Sequence, residues 1–354
     1  MSTRPSFHSL PIPHGRSAAL LALIPSLTGL VPALASLPPA QAKEVRVYSG
    51  RHYSSDAALF QQFTKATGIQ VRLLESNDST IIERLRNEGQ NSSADVLVLV
   101  DAAKLANAAA DGMFQPVGSA ALMRDVPLDL RDPKGRWFGL TRRVRAFAVN
   151  PAVVNPASLK TYADLAKPAL KGKVCLRNRN NVYNQSLVAD QMILRGDRAA
   201  ATWIKGMVAN LAQPVFTSDV ALARAVAQGR CGVGLVNSYY VARMLSGQSG
   251  AADKALAAKI RIVYPNPAHI NVSGAGVTRY AKNKPEAIQL IEFLTSPTAA
   301  EGFAKGSFEY PLKGYGNNPI LQRFGSFKPD RLSAAQLGAQ NKAAVALMAT
   351  NGWK

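Results

Sequence analysis

Strand-like and helix-like segments alternate in two separate stretches of this chain, and the alternation limits the folds that it can adopt. In the first stretch, strand patterns at 44–50, 69–74 and 94–100 are each followed by a helical pattern, the last of which ends at Ala110. This order predicts a parallel sheet with right-handed crossovers. The run at 94–100 is nearly all apolar, which is typical of a strand covered on both faces.

A second strand–helix series begins at Lys173 and continues to a strand at 260–264. Extended segments at 137–150 and 269–280 predict two crossings of the chain between two lobes. The chain has 354 residues, which is more than one compact domain usually needs. We therefore expect an α/β fold of two lobes, each a mostly parallel sheet flanked by helices. Periplasmic binding proteins have this architecture and close on a ligand by hinge motion.

The predicted lobes are discontinuous in sequence, because the chain leaves the first lobe and later returns to it. The C-terminal tail is expected to wrap on the lobes and to contain a helix at 343–348. The predicted parts are a first lobe at 43–144 and 275–314, a second lobe at 145–274 and a wrapping tail at 315–354.

Residues 1–42 are predicted to be a secretory signal peptide rather than part of the fold. Arginines precede an apolar segment at 18–35, and Ala40-Gln41-Ala42 matches an A-x-A cleavage site. Two prolines interrupt the apolar segment, which argues against the alternative of an uncleaved membrane anchor. We expect cleavage after Ala42 and a periplasmic location.

The chain is strongly basic, with a formal net charge of +20, and it remains so without Arg4 and Arg16 of the signal peptide. Its basic residues are dispersed, and a secreted chain is kept away from nucleic acid, so we do not expect a nucleic-acid partner. Solubility, or attraction to an anionic membrane face or to an anionic complex of the ligand, explains the charge better. We expect the protein to be a monomer.

The two cysteines, Cys175 and Cys231, each stand eight positions before a tyrosine, Tyr183 and Tyr239. In an oxidising compartment such a pair is a candidate disulfide, and two buried free thiols are the alternative. A bond between them would join the two strands whose ends carry these tyrosines.

His52-Tyr53, Tyr183 and Tyr239-Tyr240 each stand between a predicted strand and a predicted helix. Such corners face one crevice in an open α/β sheet, so four phenols and one imidazole converge if the two lobes face each other. Phenolate oxygen is a hard donor that matches trivalent iron. The metal's charge and the helix N-termini would favour ionisation of the phenols. The pattern predicts an Fe(III) site, and Arg143 could offset its negative charge.

Other interpretations stay open at this point. The tyrosines could simply pack, His52 could be an ordinary loop histidine, and Arg143 could lie on a solvated strand face. Only His52 and His269 remain without the signal peptide, which argues against a His-rich zinc site. Asp56 is the only carboxylate beside the three motif loops and is interpreted as a helix cap, which disfavours a secreted enzyme. A binding protein for another small ligand, such as an organic anion held by arginines, is a further alternative.

From about Val45 to Lys354 the chain resembles the ferric-iron-binding proteins of bacterial ABC importers, in their cyanobacterial-type branch. The resemblance depends on the order and spacing of several short pieces taken together. These pieces are Tyr48-Ser-Gly-Arg-His-Tyr53, Trp137-Phe-Gly-Leu-Thr-Arg-Arg143, Cys175-Leu-Arg177, Asn181-Val-Tyr-Asn-Gln-Ser186, Asn237-Ser-Tyr-Tyr240, Ser307-Phe-Glu-Tyr-Pro311 and Asn351-Gly-Trp-Lys354.

The resemblance implies a class II periplasmic-binding-protein fold, capture of Fe(III) in the cleft, delivery to an inner-membrane ABC permease and no enzymatic activity. His52 matches a position that binds metal in some members and swings away in others, and Arg143 matches an arginine near the metal. The chain is more basic around the motifs than the family leads us to expect, which leaves room for an anion such as citrate beside the iron. The implied metal ligands are Tyr53, Tyr183, Tyr239 and Tyr240.

Overall fold

The first strand–helix series folds as its sequence predicts. The structure is a computed structural model in which residues 43–51 and 53–354 are described. The predicted signal peptide and His52 lie outside these residues. The elements of the series are β1 (Glu44–Ser49), α1 (Asp56–Thr67), β2 (Gln70–Glu75), α2 (Asp78–Glu88), β3 (Val96–Val100) and α3 (Ala102–Ala110). β1 lies between β2 and β3 and is parallel to both, which confirms the predicted parallel pairing.

Burial of apolar side chains explains these elements. Every residue of β3 is buried, as expected for a strand covered on both faces. On α1, Leu59 and Phe63 are four positions apart, so they share one face of the helix and are both buried. Gly68 ends α1 with a φ of 76°, a left-handed conformation that glycine adopts without steric cost.

The middle of the chain contains the second strand–helix series and the two crossing strands. Its first five elements are α4 (Ala120–Asp125), β4 (Phe138–Val149), β5 (Val174–Cys175), α5 (Val182–Arg195) and α6 (Asp197–Ala209). They are followed by α7 (Asp219–Ala227), β6 (Val233–Asn237), α8 (Ser238–Ser246), α9 (Ala251–Ala257), β7 (Arg261–Val263) and β8 (Ile270–Val277).

The crossing strands β4 and β8 join the two series into one sheet. The order is β2-β1-β3-β8-β4-β6-β5, and β7 pairs with β4 off this path. β5 and β6 are parallel, whereas β4 and β8 are antiparallel to their neighbours. β4 pairs with β8 as far as Val144, and from Arg145 onward it pairs with β6.

This change of partner coincides with the sequence position at which we placed the boundary between the lobes. The described residues belong to one compact unit of the chain. The division at 43–144 with 275–314, 145–274 and 315–354 therefore stays a prediction.

The last part of the chain is more helical than its sequence suggested. It contains α10 (Lys284–Leu294), α11 (Pro297–Gly306), α12 (Pro319–Arg323) and α13 (Ala334–Thr350). The predicted helix at 343–348 is therefore only part of α13, whose many alanines hide the apolar face that marks a helix. Ser333 caps α13 by accepting a hydrogen bond from the backbone of Gln336. α13 packs against both α3 and α5.

Short 3-10 helices complete the secondary structure. They are Gly89–Asn91, Leu128–Leu130, Pro156–Ser158, Tyr162–Ala166 and Pro168–Leu170. A membrane-spanning helix, with the necessary length and apolar character, is not found among the described residues.

Candidate metal centre

Tyr239 and Tyr240 lie in the first turn of α8, directly after β6. The apolar pattern from Val241 onward predicts a helix that follows the two tyrosines, but α8 already begins at Ser238, so both tyrosines belong to the helix and not to a corner before it. Their ring centres are 4.2 Å apart, with an angle of 32° between the planes. The first turn of a helix favours negative charge, so this position suits a phenolate.

Tyr183 is the second residue of α5, as Tyr239 is the second residue of α8. The apolar pattern predicts a helix only from Leu187 onward, but α5 already begins at Val182. The polar run before Leu187 is typical of a loop, but Asn181 caps the helix by accepting a hydrogen bond from the backbone of Asn184 at 3.2 Å. Tyr183 therefore lies within regular structure rather than in a loop.

Tyr53 comes from the loop between β1 and α1 and meets the tyrosines of α8. Its ring centre lies 6.2 Å from that of Tyr239, with the planes at 82°. The guanidinium carbons of Arg51 and Arg243 lie 4.7 and 5.7 Å from the centre of the Tyr53 ring. His52 lies outside the described residues, so its place beside the tyrosines stays a prediction.

The four phenols influence one another electrostatically. Burial raises the pKa of Tyr239 well above its usual range, and the nearby phenols of Tyr183, Tyr53 and Tyr240 raise it further. Burial likewise raises the pKa of Tyr240 to about 12. The pKa of Tyr53 is raised first by burial and then by the carboxylate of Glu309. At least these three phenols are therefore protonated at neutral pH, and a cation bound among them would favour their ionisation.

Arg143 is a buried cation beside these phenols, with only 2 % of its surface exposed. Its Nη2 donates to the carbonyl of Val272 at 2.9 Å, while Nε and Nη1 have no hydrogen-bond partner among the described residues. Burial alone would lower the pKa of Arg143, but Tyr183 and Glu309 outweigh it and raise the pKa. A solvated strand face is therefore excluded. Arg143 offers two donors to a negative group in the site.

Two carboxylates bind Arg51, namely Asp56, whose role was predicted differently, and Glu309, which was not predicted near the site. Arg51 Nε lies 2.7 Å from Asp56 Oδ2, and Arg51 Nη1 lies 2.7 Å from Glu309 Oε2. The interpretation of Asp56 as a helix cap is wrong, because its carboxylate forms charge-assisted hydrogen bonds with Arg51 instead. Glu309 belongs to the Ser307–Pro311 motif of the resemblance, which was the available signal for it.

The other arginines near the motifs are engaged by the protein itself. Asp219 binds two of them, at 2.7 Å from Arg145 Nη1 and 2.7 Å from Arg177 Nη1. Arg145 also donates to Asn184 Oδ1 at 2.6 Å. Arg142 donates to the carbonyl of Pro311 at 2.6 Å. These arginine side chains are therefore held by contacts within the protein, and the Asp219 carboxylate neutralises one of the two charges that it binds.

A separate buried cluster of Asp190, His269 and Asp330 holds three potential metal-ligating atoms within 4.8 Å of one another. His269 Nδ1 is already 2.8 Å from Asp330 Oδ2 and 3.7 Å from Asp190 Oδ1. Burial would lower the pKa of His269, but the two carboxylates outweigh it and raise the pKa to about 10. The cluster is thus an internal ion pair of a charged histidine, distinct from the four tyrosines.

The predicted disulfide between Cys175 and Cys231 is present. It joins β5 to the residues just before β6, and Cys175 also pairs with Gly234 of β6 in the parallel ladder. The alternative of two free thiols is excluded. The bond connects the strand before the Tyr183 loop to the strand before Tyr239.

Known proteins resemble this chain over most of its length. The model of the family "Bacterial extracellular solute-binding protein" matches residues 58–313. Iron uptake protein A1 of Synechocystis sp. is 41% identical over 319 residues, which cover 89% of this chain and 88% of that protein. The Fe(3+)-binding periplasmic protein of Serratia marcescens is 30% identical over 86% of this chain and 89% of its own length. The structure of a Trichodesmium protein, IdiA or FutA, in complex with iron and citrate ligands has a TM-score of 0.84 and 42% identity, and covers 88% of this chain and 100% of that one.

Proposed function

The chain belongs to the family of bacterial extracellular solute-binding proteins, and we propose that it captures Fe(III) through tyrosinates and delivers it to an ABC permease. The observation that carries the proposal is the meeting of four phenols from three separate segments around the buried Arg143. The iron uptake and Fe(3+)-binding proteins among its relatives support it. The proposed ligands are Tyr53, Tyr183, Tyr239 and Tyr240, with His52 as a further candidate.

The charges in the site favour a trivalent cation. Four phenolates carry one negative charge more than Fe(III) neutralises, and the buried guanidinium of Arg143 offsets this excess. Without a metal the raised pKa values of Tyr53, Tyr239 and Tyr240 keep these phenols neutral. Metal binding and phenol ionisation are therefore coupled in the proposed mechanism.

An anion such as citrate can accompany the iron in this proposal. Arg143 Nε and Nη1 lack partners among the described residues. A carboxylate beside the metal would accept hydrogen bonds from these two nitrogens. The Trichodesmium relative was solved with both iron and citrate. An organic anion without metal is less well supported, because Arg145 and Arg177 already bind Asp219.

The remaining parts of the proposal concern the cellular setting. The chain acts in the periplasm after removal of residues 1–42, as a monomer that closes on iron and then docks on an inner-membrane permease. Its relatives include the Fe(3+)-binding periplasmic protein of Serratia marcescens. This role includes no catalysed reaction.

Titration of purified apo-protein with ferric citrate tests the proposal. We expect a visible tyrosinate-to-iron charge-transfer band, which the Tyr183→Phe and Tyr240→Phe variants shift or abolish. Tyr48→Phe is the matched control, because the Tyr48 hydroxyl donates to Glu88 at 2.9 Å and is not one of the four proposed ligand phenols. A colourless wild-type protein whose melting temperature does not respond to ferric citrate would refute the iron proposal.

A further inference from the structure

We infer that Trp353 and Lys354 position Tyr183 for the metal by fixing the loop that leads into α5. The inference rests on the proposed function, because it assigns these two residues to the same iron site. The loop spans residues 177–181 between β5 and α5, and Tyr183 follows two residues after it.

One side of this loop is held by α5 itself. Asn184 Nδ2 donates to the carbonyl of Arg177 at 3.0 Å and to the carbonyl of Asn178 at 3.2 Å. Gln185 Nε2 donates to the carbonyl of Arg179 at 3.0 Å. These bonds come from the helix that the loop precedes, so they cannot alone fix the helix and loop against the rest of the protein.

The other side is held by Trp353 and Lys354, more than 170 positions away along the chain. Trp353 Nε1 donates to the carbonyl of Arg177 at 2.8 Å. The backbone N–H of Arg179 donates to the carbonyl of Lys354 at 2.8 Å, and Arg179 Nη1 donates to the carbonyl of Trp353 at 3.2 Å. The Trp353 side chain is fully buried. Trp353 and Lys354 therefore anchor the loop from outside with three hydrogen bonds and a buried ring, beside Phe216, whose carbonyl accepts from the backbone N–H of Asn178 at 2.9 Å.

The anchored loop sets the position of the Tyr183 phenol. Its last residue, Asn181, is the cap of α5, so a shift of the loop moves the first helical turn and Tyr183 with it. The anchoring segment directly follows α13, which packs against α5 as well. A ligand that is held in place before the metal arrives loses less conformational freedom when it binds. Trp353 thus acts on the metal through Tyr183, as a positioning residue.

Trp203 provides a matched control for this role. Its indole Nε1 donates to the carbonyl of Tyr162 at 2.7 Å, and its side chain is only 2 % exposed. Trp353→Phe and Trp203→Phe each remove one buried indole–carbonyl hydrogen bond of nearly equal length. Only the bond of Trp353 reaches the loop before Tyr183.

The test measures iron retention against citrate competition, together with the position of the charge-transfer band. For Trp353→Phe we expect about three- to tenfold weaker retention and a shifted band, since a typical hydrogen bond contributes about 1 kcal/mol. Trp203→Phe is expected to retain iron as the wild type does, although both variants lose melting temperature. Equal iron retention in the two variants would overturn the inference.

A second pair of measurements separates positioning from general destabilisation. In a Tyr183→Phe background, Trp353→Phe should have no further effect on iron retention, because the phenol that Trp353 positions is absent. Undiminished weakening in that background would also overturn the inference.

If Trp353→Phe does not fold, Arg179→Gln tests the same anchor, because it removes the hydrogen bond to the Trp353 carbonyl. Loss of the Arg179 charge acts on the site through space and is screened by salt, whereas the lost hydrogen bond is not, so weaker iron retention that persists at high salt identifies the loop as the cause. Unchanged or stronger retention would contradict the inference. Failure of the wild type to bind iron would instead refute the proposed function, which the wild-type titration reveals on its own.

Discussion

The guanidinium carbon of Arg143 lies 5.0 Å from the centre of the Tyr183 ring. Arg143 comes from β4, the crossing strand, and Tyr183 comes from the first turn of α5. Two of the three guanidinium nitrogens of Arg143 have no partner in the described part of the chain. A buried cation with such donors beside a phenol can stabilise a negatively charged group, either a phenolate or an anion bound with the metal.

Replacement of Arg143 should weaken iron binding more than replacement of its neighbour. We expect Arg143→Gln to lower iron retention against citrate by about ten- to a hundredfold, because hydrogen bonds to charged groups contribute about 1.5–3 kcal/mol. Arg142→Gln is the control, since Arg142 is also buried in β4 but donates to the carbonyl of Pro311. A similar loss of iron retention in both variants would show that Arg143 does not stabilise the bound metal more than its neighbour Arg142 does.

Iron binding should release protons and should weaken as the pH falls. Burial raises the pKa of Tyr53 and Tyr239 well above the usual range and that of Tyr240 to about 12, so each of these phenols loses a proton when it binds iron near neutral pH. A pH-stat can count the protons released on addition of a ferric chelate, after subtraction of the chelate's own release. The Tyr240→Phe variant should release about one proton fewer, since one ionising phenol is gone. Iron affinity that is constant between pH 6 and pH 8 would contradict this coupling.

The His269 cluster should make the protein less stable in alkaline solution. Asp190 and Asp330 raise the pKa of His269 to about 10 in the folded protein, above the ordinary histidine value. The charged histidine therefore stabilises the folded state fully below about pH 6.5, and this contribution is lost as the pH rises toward 10. Urea unfolding at several pH values between 6 and 10 measures the decline in the free energy of unfolding.

His269→Gln is the control for this decline, because glutamine keeps a polar side chain but does not titrate. The difference in unfolding free energy between the wild type and this variant should shrink as the pH rises. The pKa of Asp330, raised by burial to about 6, affects stability mainly at lower pH. A difference that stays constant from pH 6 to pH 10 would show that His269 is not charged in the folded protein.

Removal of the disulfide should destabilise the protein without changing the iron site. The bond joins cysteines separated by 56 positions, and closing a loop of that length contributes about 4 kcal/mol in the chain-entropy model. We expect the Cys175→Ala/Cys231→Ala variant to lose free energy of unfolding of this order in urea titrations. Its charge-transfer band should remain, because β5 and β6 stay paired through backbone hydrogen bonds. A lost band in a folded variant would contradict this expectation.

Most of the fold could be predicted from local patterns. The strand–helix order of the first series follows from the spacing of apolar residues, and α3 ends at Ala110 as predicted. Helix starts at the site were harder to predict. α5 and α8 both begin several residues earlier than expected, because polar residues and tyrosines in a first helical turn resemble a loop. α13 was underestimated because alanine is apolar yet tolerates exposure, so it marks no face.

The sequence by itself determined which residues could form the candidate site. The four tyrosines and the cysteine pair stand at fixed offsets from strands, and these offsets are visible in the chain without any knowledge of its packing. The meeting of Tyr53 with Tyr239 was expected from the strand ends, and the rings are in contact.

Only the tertiary structure decided which charges are free to act on a ligand. Arg142, Arg143 and Arg145 lie in a single buried strand, yet Arg145 is paired with Asp219, while two nitrogens of Arg143 have no partner among the residues that the structure describes. The alternation of side chains along a strand assigns faces but not partners. Those partners, including Asp219 and Glu309, come from segments far away in sequence, and the net charge of a buried site depends on them.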